Sequence, residues 1–451
     1  MTKAALPHYM EKHLSGQDIP PGHRFGLYFP VWRDDWTKAD GEKTAALKKA
    51  TSLPDACRKM TEALRQRQQT IALQNDALDY FPAISTSPFM TGIGNEHPLE
   101  NGFAFLNPYG LPYLPGSSVK GALRTAAEEL ALGLYGETKD WDMLAVWWLF
   151  GFEAGNAAIN KKPYKGDTIL VEEAQRRQAA YQSWVAQGKY DLQSLYKMIE
   201  ATVSGKPQQA KYKSDPEIFL TSLSDNISLQ GALSFWDVYP QCKNLAMDIL
   251  TPHHGGYFQG KNASHDSEQP IPNVFLTVPP GSRFDFYCTC TTARLPEALQ
   301  QNWQALLQTV FHYAFDWLGF GAKTAVGYGQ MRRDENGERK FRDEKEQRLQ
   351  KARAEAAQQE AENRLADLPP FERDIAQLLK DKKDPNKKDY LVLLDAVKTG
   401  QWQSTDKQSI LERIQSLMQQ AGDWRPMTQK KDPSKDKEYV RTRDVLKLME
   451  Q

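Results

Sequence analysis

Cysteine is scarce in this sequence and is not arranged for a metal site or a disulfide framework. There are four cysteines, and none of them forms a CxxC pair. Cys288 and Cys290 flank Thr289 in a predicted strand, so they share one face but lie too close in sequence for a zinc knuckle. We therefore expect buried thiols in a reducing compartment, with no metal and no bound cofactor.

Net charge and long apolar runs are absent as well. The 57 basic residues are balanced by 57 acidic ones, which excludes a uniformly basic coat for nucleic acid. Any contact with RNA must then come from a local patch. No apolar stretch has the length of a membrane span, and no signal peptide is recognisable. We expect a soluble, cytoplasmic protein without a membrane partner.

The most informative segment that is present covers residues 114–124, LPGSSVKGALR. Proline and glycine break an extended stretch, a serine can cap a helix, and apolar residues then recur at helical spacing. Free N–H groups at a helix start, beside hydroxyls and cations, suit a phosphate. The alternative is a capped surface helix whose cations are only solvated. The candidate RNA-binding residues of this segment are Ser117, Ser118, Lys120 and Arg124.

A second segment, residues 319–329, reads GFGAKTAVGYG. Glycine permits positive φ and close approach of the backbone, so such a loop can hold a phosphodiester. It is not a Walker A loop, because Ala322 stands where glycine must precede lysine, and GxGxxG is not in register. A tight turn would explain some glycines but not the central lysine and threonine. The candidate RNA-binding residues here are Gly319, Gly321, Lys323, Thr324, Gly327 and Tyr328.

Together the two segments resemble the RAMP superfamily of CRISPR effector proteins. Three segments between them add to the resemblance: LFG at 149–151, GALSFWD at 231–237 and DILTPHH at 248–254. The last of these, with the long N-terminal region, is similar to the family of sixth subunits of type III-B (Cmr) effector complexes. The resemblance covers roughly residues 20–335.

The pattern of elements and the resemblance both imply an α+β fold with a ferredoxin-like (RRM-like) core, in which two helices pack on an antiparallel sheet. Residues 24–29 are predicted as the first strand, and 273–278 with 283–287 as a hairpin. A helix at 301–318 is predicted to carry Trp317 on its apolar face.

Two domains are expected from the length of 451 residues. The RAMP domain is predicted to span residues 1–341, with an insertion at about 152–228. A charged α-helical extension is predicted over residues 342–451. Its predicted helices cover 344–368, 371–380, 389–398 and 407–420.

The resemblance implies a non-catalytic, RNA-binding structural subunit of a type III-B CRISPR ribonucleoprotein that serves antiviral defence. Its implied partners are the guide RNA near its 3′ end, the target RNA and the other subunits of the complex. One alternative is a metal-independent, guide-processing endoribonuclease that uses His253 or His254, with the RNA 2′-OH as nucleophile. Another is an adaptor that acts through the C-terminal helices. The histidines suit structural hydrogen bonds in a glycine-containing loop at least as well, so the non-catalytic function is favoured.

Overall fold

The computed structural model describes residues 2–450 except 14, 15, 17, 99, 100, 154–167, 222–226, 252–271, 383, 401, 403 and 429. The chain divides into two compact units, Met1–Arg348 and Leu349–Gln451. Within the described ranges, no helix combines the length and apolar character that crossing a bilayer requires.

Helices and strands are mixed in the first unit, whereas the described part of the second is helical. The helices are α1 (Pro21–Gly26), α2 (Lys43–Ala50), α3 (Asp55–Ala72), α4 (Gly116–Ala131), α5 (Met143–Phe150), α6 (Thr168–Gln187), α7 (Leu192–Thr202), α8 (Lys206–Ser214), α9 (Pro216–Thr221), α10 (Glu297–Tyr313), α11 (Glu335–Ala366), α12 (Pro370–Lys380), α13 (Asp389–Lys398), α14 (Ser404–Gln420) and α15 (Lys437–Met449). The strands are β1 (Leu78–Ser85), β2 (Phe105–Leu106), β3 (Leu111–Pro112), β4 (Gly151–Glu153), β5 (Ser228–Gln230), β6 (Leu233–Phe235), β7 (Ala246–Leu250), β8 (Asn273–Thr277), β9 (Arg283–Cys290) and β10 (Met331–Arg333).

Four strands form the central sheet, in the order β10-β1-β9-β6. All three neighbouring pairs are antiparallel, with Ser85 opposite Met331, Tyr80 opposite Tyr287 and Leu233 opposite Cys290. The helix α4 lies in sequence between β1 and β6, and α10 lies between β9 and β10. The remaining described strands form three separate two-stranded ribbons.

One face of the sheet packs against α4 and α10. Phe81 of β1 stacks on Phe311 of α10 with ring centroids 4.0 Å apart, and Phe286 of β9 meets the same ring edge-on. Val119 and Leu123 of α4 are buried in the same core. Successive side chains of β1 and β9 point to opposite faces of the sheet, so every second side chain lies on this face.

The opposite face of the sheet is covered as well. Tyr80 and Tyr287 stack at 5.0 Å between ring centroids, and Phe341 at the start of α11 packs on Tyr80 at 4.4 Å. The end of α3 contributes Ala72 to the same buried cluster. An RRM-like sheet that offers aromatic rings to RNA bases is therefore not available here, because helices occupy that position.

A buried ionic network ties α3 to this second face. The carboxylate of Asp285 accepts hydrogen bonds from Arg65 Nε at 2.7 Å, from the Tyr80 hydroxyl at 2.7 Å and from Arg283 Nε at 3.0 Å. Burial alone would raise the pKa of Asp285, but the two guanidinium charges and these hydrogen bonds outweigh it and hold that pKa below its ordinary value. The carboxylate is thus ionised and is shared by two arginines, each of which has a second carboxylate partner.

Three predictions about individual elements were wrong. Residues 24–29 do not form a strand, because Pro21 opens the helix α1 and the chain then turns. The strand β8 pairs with β7 instead of forming a hairpin with β9, and β9 pairs with β1 and β6. Trp317 lies on the surface, with 73% of its area exposed.

The second unit has a core of its own. Its buried residues come from α13, α14 and α15, with α12 packing against them through partly buried side chains. The predicted helices at 371–380, 389–398 and 407–420 are confirmed, with α14 starting slightly earlier. The last helix, α15, had no strong apolar repeat and was not predicted. The buried core residues are Tyr390, Leu393, Leu394, Val397, Ile410, Leu411, Ile414, Met418 and Val445.

Candidate nucleic-acid interface

The start of α4 is held by a carboxylate from the segment that follows β6. Pro115 is the N-cap residue and provides no side-chain bond. The N–H of Gly116 instead donates to Oδ1 of Asp237 at 2.8 Å. The prediction that a serine caps the helix was therefore wrong. Ser117 and Ser118 lie exposed in the first turn, where their hydroxyls face solvent.

Glycine is required at two of the neighbouring motif positions. A Cβ on Gly116 would overlap the carbonyl oxygen of Phe235, and one on Gly231 would overlap the backbone at Phe150 and Gly151. The rings of Phe150 and Phe235 stack at 5.8 Å. Three segments that are far apart in sequence, around residues 116, 150 and 235, thus meet through backbone contacts. These glycine and phenylalanine residues of the motifs are therefore explained by packing within the fold.

Asp237→Ala is expected to lower the free energy of unfolding by about 1 kcal/mol, the usual effect of losing a helix cap. Its carboxylate is the acceptor for Gly116 N–H, and alanine leaves that donor without a protein partner. Urea denaturation measures the change. Asp237→Asn keeps an acceptor oxygen and is expected to retain most of the stability. Equal stabilities of wild type and Asp237→Ala would contradict the capping role.

The two cations of α4 have different surroundings. Lys120 is half-buried, and burial together with the nearby charge of Arg124 lowers its pKa from the ordinary value. Arg124 donates from Nε to Glu128 at 2.9 Å, one helical turn further along. Glu128 is buried, so this pair neutralises a carboxylate inside the protein. Lys120 has no such ion pair within the described residues and is the cation better placed to meet a phosphate.

The Gly-rich loop owes three of its four glycines to backbone packing. Gly319, Gly321 and Gly329 all have positive φ, at 69°, 93° and 70°. A Cβ on Gly321 would overlap the carbonyl oxygen of Met90, and one on Gly329 would overlap that of Phe320. Gly327, with φ of 92°, faces open space. Gly321 thus fixes the loop against Met90, Gly319 and Gly329 let the two arms of the loop approach each other, and the tip stays exposed.

The exposed tip carries the features that suit an anion. Lys323 is a left-handed residue, with φ 58° and ψ 33°, and the 3-10 turn Thr324–Val326 follows it directly. Alternation of left- and right-handed backbone turns successive N–H groups toward one side, which forms an anion-binding nest. The described part of the chain offers no acceptor to the amide groups of Lys323 and Thr324. The side chain of Lys323 is exposed beside them.

Tyr328 connects the loop to another motif segment. Its hydroxyl donates to Oδ2 of Asp248 on β7 at 2.8 Å. Burial and this carboxylate raise the pKa of Tyr328 to about 12. Tyr328 is itself buried. Among the candidate residues, Tyr328 therefore anchors the loop and does not lie at its exposed tip.

The two candidate segments lie at opposite edges of the sheet. The start of α4 packs on β6, one edge strand, and the Gly-rich loop leads into β10, the other edge strand. Three strand spacings of ~4.8 Å separate these edges by about 14 Å. The segments therefore do not close on a single phosphate. A polyanion that met both candidate segments would have to bridge that distance.

The alternative catalytic residues, His253 and His254, lie outside the described residues. The four cysteines are free thiols, and burial raises the pKa of Cys290 to about 12. Within the described ranges, no group of three His, Cys, Asp or Glu side chains is placed to hold a metal ion.

Sequence reasoning missed Asp237 as the partner of the α4 start. A signal was available, because Asp237 ends the segment GALSFWD that carried the resemblance. It also missed the nest. The nest depends on the positive φ of Lys323, and lysine seldom adopts positive φ, so no residue pattern predicts it.

Comparison with known proteins places these features in a family. The model of the RAMP superfamily matches residues 84–332, more than half of the chain. The CRISPR system Cmr subunit Cmr6 of Pyrococcus furiosus is 26% identical over 260 residues, covering 54% of this chain and 65% of the relative. The match thus spans slightly less than two thirds of that relative.

Two solved structures are also similar. They are the type III-B Cmr-beta complex bound to cognate target RNA (15% identity, 68% of this chain and 78% of that chain, TM-score 0.33) and Cmr6 from Pyrococcus furiosus (21% identity, 57% and 98%, TM-score 0.26). The family match begins in β1, contains the α4 start, Asp237 and the Gly-rich loop, and ends in β10. It therefore covers the whole arrangement described above, and the chain is a member of the RAMP superfamily that resembles the CRISPR protein Cmr6.

Proposed function

We propose that this chain is a non-catalytic RNA-binding subunit of a type III-B CRISPR ribonucleoprotein that acts in antiviral defence. It holds the guide RNA near its 3′ end, and the guide–target duplex, through phosphates and shape. Its partners are guide RNA, target RNA and the other subunits of the complex. The observation that carries the proposal is the exposed tip of the Gly-rich loop, where Lys323 stands beside two amide groups without acceptors in the described part of the chain.

The core of the first unit is proposed to be ferredoxin-like. Its sheet order β10-β1-β9-β6, with one helix after β1 and one after β9, supports this assignment. Because helices cover both faces of the sheet, RNA is expected at the edges and loops, where phosphates are contacted without sequence preference. The similarity to a Cmr subunit supports assembly with sibling subunits.

Changing Lys120, Arg124 and Lys323 together to alanine is expected to weaken binding of single-stranded RNA irrespective of its sequence. Each lost phosphate contact should reduce the slope of log K against log salt by ~0.7. Lys323→Ala alone should account for more of the change than Arg124→Ala, because Arg124 is already paired with Glu128. Filter binding with the full chain at several salt concentrations measures both quantities.

A matched control removes two lysines and one arginine elsewhere on the same unit. Lys48, Lys49 and Arg67 are exposed on α2 and α3, and their replacement by alanine is expected to leave the salt slope nearly unchanged. An equal salt slope in the wild type, the triple variant and the control variant would refute the assigned contacts. The RNA is expected to stay intact throughout. Metal-independent cleavage that is lost in His253→Ala or His254→Ala would show that the chain is an enzyme.

A further inference from the structure

An irregular turn at the end of α10 exposes a tryptophan that the sequence pattern places in the core. Trp303, Leu306, Leu307, Val310 and Ala314 are all buried at helical spacing. Trp317 continues that spacing, yet 73% of it is exposed. The residues Ala314–Leu318 form a π-helical turn, in which the N–H of Gly319 donates to the carbonyl of Ala314 at 2.8 Å. Such a turn holds one extra residue and rotates Trp317 out of the core, and π-turns are frequent at functional sites.

Trp317 is one wall of a cleft of about 480 Å³. A second exposed aromatic residue, Tyr135, lines the same cleft and is 59% exposed. The guanidinium of Arg176 lies over the Tyr135 ring at 4.5 Å. The other lining residues are Glu129, Leu130, Gly136, Glu137, Lys139, Tyr313 and Leu318.

One side of the cleft is polar and fixed in position. The carboxylate of Glu129 accepts hydrogen bonds from the Tyr313 hydroxyl at 3.0 Å and from Arg177 at 2.9 Å. Leu130 and Leu318 are the apolar residues of the lining. The cleft therefore combines exposed aromatic rings, an apolar floor and an oriented acceptor, which are the groups that hold a flat heterocycle with polar edges.

Two cations lie at or beside the rim of the cleft, where they can meet the phosphate next to a bound base. Lys139 lines the cleft and has positive φ of 47°, and Asp140 after it has φ of 67°. Arg176, over the Tyr135 ring and 4.0 Å from Glu173, is a second cation. The acidic residues of the lining are Glu137 and Glu129, and Glu129 is paired with Arg177. Trp317 also stands two residues before the Gly-rich loop. A strand whose phosphates meet Lys323 could thus place a base at this cleft.

We propose that the cleft between Trp317 and Tyr135 takes one unpaired nucleobase of a bound RNA strand. The base stacks on the indole of Trp317, its polar edge faces Glu129, and the adjoining phosphate meets Lys139 and Arg176. The proposal rests on the RNA-binding function proposed above and adds base stacking to a mode of binding based on phosphates.

Trp317→Ala in the full chain is expected to weaken binding of a single-stranded oligoadenylate by about 5- to 150-fold, the range for one stacked base. Because no phosphate contact is lost, the salt slope should not change. Binding of an RNA duplex of equal length should be unaffected, since its bases are already paired. Trp317→Phe should retain most of the affinity. The matched control is Trp36→Ala, which removes another tryptophan that is 57% exposed and lies away from the cleft.

The possible outcomes separate the two proposals. Unchanged single-strand affinity in Trp317→Ala, with normal salt dependence, overturns the nucleobase site and leaves the RNA-binding function standing. Absence of RNA binding by the wild-type chain overturns both. Equal losses on single-stranded and duplex RNA overturn base stacking. Loss of co-purifying sibling subunits with RNA affinity intact assigns the cleft to a protein side chain, which also overturns the proposal.

Discussion

Replacing Asp285 by alanine is expected to lower the free energy of unfolding of the first unit by about 3–5 kcal/mol, the usual result of removing one partner from a buried ionic pair. The carboxylate is buried and receives hydrogen bonds from Arg65, Arg283 and Tyr80. Without it, the largely buried guanidinium of Arg65 keeps only the half-exposed Glu62 as an ion-pair partner within the described residues. Urea denaturation followed by tryptophan fluorescence measures the change, because nine of the 11 tryptophans precede residue 349.

The same carboxylate predicts the direction of the acid response. The pKa of Asp285 is lower in the folded state than its ordinary value. A group of this kind stabilises the fold above its unfolded pKa, ~3.9 for aspartate. That contribution is lost as the pH falls through the lower, folded pKa. Wild type should therefore lose its stability advantage over Asp285→Ala only below about pH 4.

An exposed ion pair provides the control for Asp285. Asp55 pairs with Arg58 and Lys59 at the start of α3, and about two thirds of its side chain is exposed. Asp55→Ala is expected to change the free energy of unfolding far less than Asp285→Ala does, because water screens the charges of an exposed pair. If the two alanine variants were equally stable, the buried network would not be holding α3 on the sheet.

Gly329→Ala is expected to destabilise the first unit by about 3 kcal/mol or more. The left-handed φ of 70° costs alanine roughly 1–2 kcal/mol. Its Cβ would also overlap the carbonyl oxygen of Phe320, and backbone cannot move aside as a flexible side chain does. Two hydrogen bonds are then disturbed, from Gly329 N–H to Pro88 at 2.8 Å and from Phe320 N–H to Gly329 at 3.0 Å.

Gly327→Ala isolates the conformational part of that effect. Gly327 has a φ of 92°, but a Cβ added there would have nothing within 4 Å, so only the ~1–2 kcal/mol of left-handed strain applies. Denaturation curves of the two variants should differ clearly, with Gly329→Ala the less stable. Similar curves would mean that the loop adjusts its backbone and is not anchored at residue 329.

The spacing of apolar residues predicted those helices and strands whose buried face follows that spacing. The helix α4 is buried along the face that its apolar residues mark. The pairing of β8 could not be predicted, because a turn signal between two strands does not show which strand each will meet. Only the tertiary order of the sheet decides that.

The candidate interface was predictable in part. The exposure of Lys323 agrees with its position among glycines. Gly321, however, is explained by a contact with Met90, which is remote in sequence. The ion pair of Arg124 with Glu128 was visible as an i, i+4 spacing. The exposure of Trp317 was not predictable, because a π-turn breaks the very period on which the prediction relied.

The covered second face of the sheet has a consequence for how this protein can change over evolutionary time. Tyr80 and Tyr287 form a stacked pair that would suit base recognition on an open sheet, but here they are the surface on which α3 and Phe341 pack. Substitutions at these tyrosines should therefore be accompanied by compensating changes in α3. If the chain binds RNA as proposed, these substitutions should not depend on the RNA sequence, because the contacts proposed for RNA lie at the edges of the sheet and in its loops.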